Sequence, residues 1–311
     1  MEGYFVVGLS LMKRDIMGSN RTVSELVESF NIPQLKTTPT GYKGCCVINP
    51  SHADNSPSMH IHLEKGHVKC FACGAYRSLF SFLMDNGATF DEAIEFMFID
   101  HSRTRKELEG MQEYTLGRKI PKSMLDRGFT IETLKHFGVG YDEFKRRITI
   151  PLKFNGILYG INYRMPPKKI WSSEGFNKDN FIYNFEKSDV RILVEGFTDA
   201  WKVWQNGTKN VSATLMAYPS EGQLELLSSY KEIWLAYDND KAGYVGAFRV
   251  HEHLGRDVNI MMIPYRGKDP DTNTKEEWER AIANRTSFIE FEVAFIKNNP
   301  QLYAEIKSNK Y

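Results

Sequence analysis

The chain has 311 residues, of which 41% are hydrophobic and 25% charged, and its formal net charge is +1. These values are ordinary for a soluble globular protein and leave room for two or three domains with cores of their own. A net charge so close to zero excludes any inference about a polyanionic partner from the chain as a whole.

The N-terminal segment is apolar but carries no signal for export. The run from Gly3 to Met12 is too short to span a bilayer. Glu2 stands where a signal peptide would have its positive charge. The sequence therefore predicts a cytoplasmic protein with an ordered N-terminal appendage and no contact with a membrane.

The first hundred residues predict a small β ribbon followed by helices. From Gly41 to Gly74 short apolar runs alternate with turn residues. An amphipathic helix follows, and its apolar face is predicted to carry Leu79, Phe80, Leu83 and Met84. Thr89 and Glu92 have the spacing of a capping box that opens another helix. We place a zinc-binding domain at residues 1–100 and a polar linker at residues 101–120.

All the cysteines of the chain lie in one short stretch, at Cys45, Cys46, Cys70 and Cys73. Close pairs of this kind are typical of metal ligation in a reducing compartment rather than of disulfides. Cys46 with His52 forms one ligand pair. Cys70 with Cys73 forms the second, which has the Cys-x2-Cys spacing of a zinc knuckle. The sequence predicts one structural zinc, because so small a ribbon lacks a core. Alternative ligands for the first pair are His60, His62 and His67.

The rest of the chain predicts an α/β protein with a basic segment before an acidic one. Residues 121–188 read as a mixed α+β subdomain, and from Arg118 to Lys178 there are 13 Lys and Arg against 5 Asp and Glu. Residues 189–275 alternate strands and helices as in a mainly parallel, Rossmann-like sheet. Residues 276–311 predict a helical tail. A basic segment beside acids suits a protein that holds a phosphate backbone near metal ions.

Carboxylates follow two apolar runs of the predicted parallel sheet. Glu195 and Asp199 follow the first run, and Asp238 and Asp240 follow the second. The carboxyl ends of parallel strands are where open α/β sheets place their ligands. Several acids on one rim cannot all stay ionised unless a cation lies between them, so a divalent metal is expected. A plain solvated turn at Asp238–Asp240 is the alternative.

Both motif sets resemble one family. The run Cys-Phe-Ala-Cys-Gly before an apolar helix, with Asn-Ser-Pro-Ser-Met between the ligand pairs, resembles the zinc-binding domain of DnaG-type primases. Glu-Gly on one strand with Asp-x-Asp on another resembles the TOPRIM domain. The resemblance implies that the zinc ligands are Cys46 rather than Cys45, with His52, Cys70 and Cys73. The first pair is three residues longer here, so Asn49 falls where the family has its histidine.

The resemblance also implies roles for the other site residues. Nucleotide or nucleic-acid binding is implied for Arg147, Arg164, Lys169 and Lys178, with Trp171 in place of the family's tyrosine. Catalysis is implied for Glu195, Asp238 and Asp240, with Glu195 as general base or metal ligand. Two or more Mg²⁺ or Mn²⁺ ions would be held by these acids together with Asp199, Asp269 and Asp271. For the last two, a loop without function is the alternative.

We therefore predict a DNA primase, a nucleotidyltransferase that makes short RNA primers from nucleoside triphosphates on single-stranded DNA. A TOPRIM nuclease would use the same acids but would not need the basic segment. A RecR-like recombination mediator would bind without the full set of acids. No Walker lysine motif is present, so we expect a separate replicative helicase to contact Ala281–Tyr311 or the ribbon. The short length favours a phage or plasmid origin.

Overall fold

The computed structural model describes residues 23–63, 66–90, 92–93, 118–154, 157–165, 169–173, 176, 178 and 181–308. The chain divides into two compact units, Met1–Thr104 and Arg105–Tyr311. Within the described ranges, no helix combines the length and the apolar character needed to cross a membrane. The predicted N-terminal appendage and most of the predicted linker lie outside the described residues.

The first unit is built on a five-stranded antiparallel ribbon, as the alternating pattern predicts. Its strands pair in chain order, β1-β2-β3-β4-β5. In β3, Met59 and Ile61 are buried while His60 and His62 are half-exposed, because successive strand residues face opposite sides. The elements are α1 (Val23–Glu28), β1 (Lys36–Thr38), β2 (Gly41–Gly44), β3 (Met59–His62), β4 (His67–Cys70), β5 (Tyr76–Ser78) and α2 (Leu79–Asp85).

Helix α2 is amphipathic, as predicted, and three of the four residues predicted for its buried face are buried. It begins after Ser78, whose hydroxyl accepts a hydrogen bond from the Ser81 amide. Its buried residues are Leu79, Phe80, Phe82 and Leu83. The prediction for Met84 is wrong, since 37% of this residue is exposed. Phe82 is buried instead because its ring packs edge-on against Phe30, at 5.9 Å between centroids.

The capping box after α2 is also confirmed. The Thr89 amide donates to a Glu92 carboxylate oxygen at 2.8 Å, and the Glu92 amide donates to the Thr89 hydroxyl at 3.2 Å. The reciprocal pair satisfies two amides that the first turn of a helix leaves without partners. Most of the segment predicted to form the next helix lies outside the described residues.

The described part of the second unit begins with two short helices and a four-stranded antiparallel sheet in the order β6-β7-β8-β9. Asn162 and Arg164 on β8 are paired with Ile150 and Ile148 on β7. Paired residues project to the same face of a sheet, so these four side chains share one face. The elements are α3 (Lys122–Asp126), α4 (Ile131–His136), β6 (Gly140–Asp142), β7 (Arg147–Phe154), β8 (Ile157–Met165) and β9 (Lys169–Ser172).

A second sheet, mainly parallel, follows in the order β11-β10-β12-β13-β14. Strand β10 lies between β11 and β12, so the chain leaves β10 to one side and returns to the other. Such a switch point opens a crevice at the carboxyl ends of the strands. Glu195 directly follows β10 there. The elements are β10 (Val190–Val194), α5 (Phe197–Gln205), β11 (Val211–Ala213), α6 (Glu221–Leu227), β12 (Glu232–Leu235), α7 (Lys241–Leu254) and β13 (Asn259–Met262).

The C-terminal segment is mostly helical, as predicted, but it also supplies a strand. Thr286 and Ser287 form β14, which pairs antiparallel with Met262 and Met261 at the edge of the parallel sheet. The Ser287 hydroxyl then caps the next helix by accepting from the Glu290 amide. The remaining elements are a 3₁₀ turn (Pro270–Thr272), α8 (Lys275–Ala283), α9 (Phe288–Asn298) and α10 (Pro300–Ser308).

Candidate functional site

The ribbon brings together the four predicted zinc ligands, Cys46, His52, Cys70 and Cys73. One ligand atom from each lies within 4.8 Å of the others. The Sγ atoms of Cys46 and Cys73 are 3.9 Å apart, and Cys70 Sγ lies 3.6 Å from His52 Nδ1. Two thiolates bound to a tetrahedral zinc at about 2.3 Å lie about 3.8 Å apart. The cluster therefore has the dimensions of a closed zinc site, in spite of the longer first pair.

Two residues that the sequence analysis did not single out hold these ligands in place. The Asp54 carboxylate accepts a hydrogen bond from the Cys46 amide at 2.7 Å and another from the Ser58 hydroxyl. Ser58 Oγ lies 3.1 Å from Cys70 Sγ. Burial opposes ionisation of Cys70, but its contact with Ser58 and the hydrogen bond from the Cys73 amide lower the pKa of its thiol to about 6. Cys70 therefore favours the thiolate form that binds metal, whereas burial raises the pKa of the Cys46 thiol to about 11. An acid between the ligand pairs is the sequence signal for Asp54.

The second unit holds a cluster of three carboxylates, Asp199, Asp269 and Asp271. One oxygen from each lies within 4.8 Å of the others. Asp199 is buried in the first turn of α5, where its carboxylate accepts a hydrogen bond from the Gly196 amide at 3.0 Å. Asp269 and Asp271 stand at the start of the 3₁₀ turn beyond β13. Three oxygen ligands at this spacing, from hard carboxylates, suit Mg²⁺ or a similar divalent ion.

Glu195, Asp238 and Asp240 lie beside that cluster but are held differently. Glu195 Oε1 accepts a hydrogen bond from the Asp238 amide at 3.0 Å. This bond connects the segments that follow β10 and β12. Asp240 caps the N-terminus of α7, because its Oδ1 accepts hydrogen bonds from the amides of Ala242 and Gly243 at 3.0 and 3.1 Å. Its Oδ2 lies 3.7 Å from Lys268 Nζ. The predicted rim is thus one crevice with a three-acid cluster and a neighbouring Glu195–Asp238 pair.

The electrostatics of the rim explain why it needs a cation. Burial, and then the charge of Asp238, raise the pKa of Glu195 to about 7. Burial and Asp238 likewise raise the pKa of Asp199 to about 7. Burial, followed by the charges of Asp269 and Asp240, raises the pKa of Asp238 to about 6. Below these values the carboxyls hold protons that a divalent ion would displace.

The sequence analysis also missed two residues that shape the rim. Arg127, in the turn after α3, places Nη2 2.8 Å from Asp271 Oδ2 and so orients one member of the three-acid cluster. At Gly243 an added Cβ would lie 2.1 Å from the Asp238 carbonyl oxygen and 2.7 Å from Glu195 Oε1. Only glycine lets α7 approach so closely. The sequence signal for Gly243 is its place as the third residue of α7, three positions after Asp240.

A cleft of 490 Å³ opens beside these acids. Its predicted basic residues are Arg164 and Lys178, and Trp171 also lines it. Burial and the charge of Arg127 lower the pKa of Arg164, while the charge of Asp199 raises it. The Arg164 guanidinium therefore interacts electrostatically with Asp199. The cleft is completed by Asn162, Ile170, Ser172, Phe176, Glu195, Gly196, Phe197, Thr198, Asp199, Leu215, Met216 and Asp238.

The other two predicted basic residues are placed differently. The described residues that line the cleft do not include Arg147. Its guanidinium lies 3.7 Å from the Tyr163 ring centroid, and its Nε is 3.6 Å from buried Asp142. Alternation along β7 and β8 puts these residues on the face opposite Arg164. Lys169 begins β9, and its side chain lies outside the described part of the structure.

Comparisons with known proteins agree with this architecture. The CHC2 zinc finger family matches residues 13–112, and the Toprim-like family matches residues 192–274. The DNA primase of Clostridium acetobutylicum is 26% identical over 91% of this chain and 61% of that protein. The DNA primase of Geobacillus stearothermophilus is 25% identical over 89% and 61%, respectively. The chain thus spans about three-fifths of the length of these curated relatives.

Solved structures show the same fold. The zinc-binding and RNA polymerase domains of the Aquifex aeolicus primase match with a TM-score of 0.54 and 20% identity, over 96% of this chain and 90% of that one. A DnaG primase catalytic domain bound to single-stranded DNA matches with a TM-score of 0.52 and 17% identity, over 63% and 82%.

The chain is thus a protein with a CHC2 zinc finger followed by a Toprim-like domain. In the order of these two regions it is similar to the DnaG-type primases. A CHC2 finger implies a zinc site, and a Toprim domain implies binding of divalent metal. The four-ligand cluster and the acid rim are the two places in the described structure where the ligands for such ions converge.

The ribbon offers a matched pair of cysteines for testing the zinc site. Cys45 is buried, but it is not part of the four-ligand cluster. We expect Cys45→Ser to retain about one zinc per chain and Cys73→Ser to lose most of it, because a structural zinc needs four ligands. Elemental analysis of the purified proteins measures both. Zinc retained in Cys73→Ser and lost from Cys45→Ser would show that the ligand set is wrong.

Proposed function

We propose that the protein synthesises short RNA primers on single-stranded DNA from nucleoside triphosphates. The observation that carries this proposal is the placement of a three-carboxylate cluster at the edge of a cleft that Arg164 and Lys178 line. Nucleotidyl transfer needs both parts, since the triphosphate must be neutralised and held in line with the attacking hydroxyl. The primase relatives and the shared fold support the same reaction.

The rim acids would hold two or more Mg²⁺ or Mn²⁺ ions. Asp199, Asp269 and Asp271 would hold one, and Glu195 with Asp238 and Asp240 would hold or border another. Bound divalent ions would supply charge stabilisation for the triphosphate and its leaving group. Arg127 would keep Asp271 oriented as a ligand, because the ion pair fixes one of its oxygens at 2.8 Å.

Glu195 is the residue best suited to act as general base. Its Oε1 is held by the Asp238 amide at 3.0 Å, so the carboxylate has a defined orientation. Burial, and then Asp238, raise its pKa to about 7. A base whose pKa lies near the working pH is both substantially ionised and able to take a proton. We propose that Glu195 accepts the proton of the attacking 3′-hydroxyl.

The cleft walls would bind the nucleotide and the template–primer duplex. Arg164 would pair with phosphate oxygens through its planar guanidinium, and Lys178 would act as a point charge. Trp171 is 37% exposed on β9, where it can stack on a base. Lys169 is proposed for the same surface from its position alone. The placement of Arg147 favours a structural role in the sheet over direct contact with nucleic acid.

The ribbon would contribute to template binding. One face of its sheet exposes Phe71 and Tyr76, at 66% and 57% of their surface. Lys69 Nζ lies 5.5 Å from the Phe71 ring centroid, and His67 stacks on Tyr76 at 5.5 Å. Aromatic rings interleaved with positive charge suit single-stranded DNA, whose bases stack and whose phosphates need cations. The zinc would hold this platform rigid rather than take part in the chemistry.

A separate replicative helicase is the proposed protein partner. Helix α9 exposes an apolar stripe of Ile289, Val293 and Ile296, at 67%, 64% and 38% of their surface. These residues follow the i, i+4, i+7 spacing of one helix face, and a stripe of this kind suits contact with another protein. The stripe lies within the segment that the sequence analysis assigned to helicase contact.

Primer synthesis can be tested directly. The zinc-loaded protein, single-stranded DNA, labelled ribonucleotides and Mn²⁺ should yield short oligoribonucleotides on a gel. We expect Asp238→Asn to lower the rate by about 100-fold or more, a loss of about 2.7 kcal/mol of transition-state stabilisation. The double variant with Asp240→Asn should be little worse, since these acids act as a unit. Asp257→Asn, a surface acid away from the rim, is the control.

The other outcomes of this experiment point to other functions. Cleavage of the DNA without RNA synthesis would identify a nuclease. Binding of DNA with neither product would identify a recombination mediator.

Arg147 and Arg164, on opposite faces of the four-stranded antiparallel sheet, make a second matched pair. We expect Arg164→Gln to weaken ATP binding in the presence of Mn²⁺ by about tenfold or more, because a charge-assisted hydrogen bond contributes roughly 1.5–3 kcal/mol. Arg147→Gln should leave ATP affinity unchanged but lower the melting temperature, since Asp142 would lose a buried partner. Calorimetric titration and thermal denaturation measure the two effects. Equal losses of ATP affinity in both variants would contradict this placement.

A further inference from the structure

Asn162 is a buried amide in the wall of the cleft with no role yet assigned. It lies in the middle of β8, opposite Ser172 on β9, and only 7% of it is exposed. Its side chain shares a face with Arg164, and both line the cleft. A polar side chain at such a position needs partners, since burial removes it from water.

One half of the amide has a partner and the other does not. Asn162 Nδ2 donates to Ser172 Oγ at 3.3 Å, which restrains the amide group. No described residue donates a hydrogen bond to Oδ1. A buried acceptor without a donor destabilises the folded protein, and groups of this kind are found where a ligand supplies the missing partner. The uncompensated atom therefore marks a ligand contact rather than a packing contact.

The position of Asn162 relative to Arg164 indicates which part of a nucleotide it would meet. The two residues are two apart on one strand, so their Cα atoms lie about 6.6 Å apart. Arg164 is close enough to the acids for the charge of Asp199 to act on it. A triphosphate held by Arg164 and the rim would place its nucleoside about that far along the strand. Ile170, Phe176 and Leu215 supply apolar surface in the same cleft.

We propose that Asn162 binds the nucleoside half of the incoming nucleotide, its carbonyl oxygen accepting a hydrogen bond from a sugar hydroxyl or a base amine. This inference rests on the proposed function of the cleft as a nucleoside triphosphate site. It divides the cleft into a phosphate-binding part at Arg164 and a nucleoside-binding part at Asn162. Ser172 is the positioning residue that holds the amide through Nδ2.

The test uses a substitution whose effects on nucleotide affinity and on stability differ between a ligand-binding role and a purely structural role of Asn162. Asn162→Leu keeps the shape of the side chain. It removes the unpartnered acceptor together with the 3.3 Å hydrogen bond to Ser172, so the melting temperature should stay close to that of the natural protein. Its affinity for ATP with Mn²⁺ should fall about tenfold, while its affinity for inorganic tripolyphosphate stays unchanged. Asn162→Ala should show the same binding pattern without the added apolar group. Tyr163→Phe, next on β8 and facing the other way, is the control.

Two further nucleotides identify the donor. If it is the 2′-hydroxyl, the natural protein should bind 2′-deoxy-ATP as weakly as Asn162→Leu binds ATP. If it is the base amine, 2′-deoxy-ATP should bind normally, and the triphosphate of purine riboside, which lacks the amine, should bind weakly. Either result supports the inference.

Unchanged ATP affinity in both Asn162 variants would overturn it, as would equal losses for ATP and tripolyphosphate. Primer synthesis by the natural protein, run in parallel, separates the two levels. Normal synthesis together with unaffected variants refutes the role of Asn162 alone, whereas absence of synthesis refutes the proposed function.

Discussion

The burial of carboxylates that also repel one another, at one edge of the parallel sheet, is the constraint on which the second unit depends. Burial and neighbouring acids raise the pKa of Glu195 and Asp199 to about 7 and that of Asp238 to about 6. In the absence of a cation, ionising these groups costs folding free energy, so stability falls as the pH rises from the unfolded pKa values toward the folded ones. Binding of a cation between the acids would offset this loss of stability.

The surrounding structure brings the acids together in spite of that cost. The Glu195–Asp238 hydrogen bond joins two adjacent strands at the switch point. Gly243 lets α7 begin almost in contact with that pair, and Arg127 offsets part of the negative charge at Asp271. The antiparallel sheet then supplies Arg164 to the cleft that the acids border. The ribbon, in contrast, depends on four metal ligands rather than on a charged crevice.

The sequence predicted those parts of the site that are encoded by short-range patterns. Acids directly after apolar strands predict a rim because parallel strands end at a common edge, and cysteine pairs predict a zinc cluster because the spacing sets the geometry. Pairings between distant segments were not predictable. Arg127 and Asp271 are 144 positions apart, and only the fold brings them into contact.

Within the basic segment, the sequence alone does not separate residues that line the cleft from residues that do not. Arg147 and Arg164 are alike in the sequence, yet strand alternation places them on opposite faces, and Arg147 pairs with Asp142 instead of lining the cleft. Burial in short helices also depends on tertiary partners, since Phe30 covers Phe82 while Met84 stays exposed. The register of strands and the packing of neighbours decide such cases, and neither is visible in the local pattern.

The most direct test of this account is the number of protons released when Mn²⁺ binds to the zinc-loaded protein. Titration calorimetry at each pH, in two buffers with different enthalpies of ionisation, gives that number. The account predicts release of more than one proton per chain at pH 6, where carboxyls with pKa values of about 6–7 still hold protons, and almost none at pH 8.5. Binding of Mn²⁺ at pH 6 without proton release would contradict it.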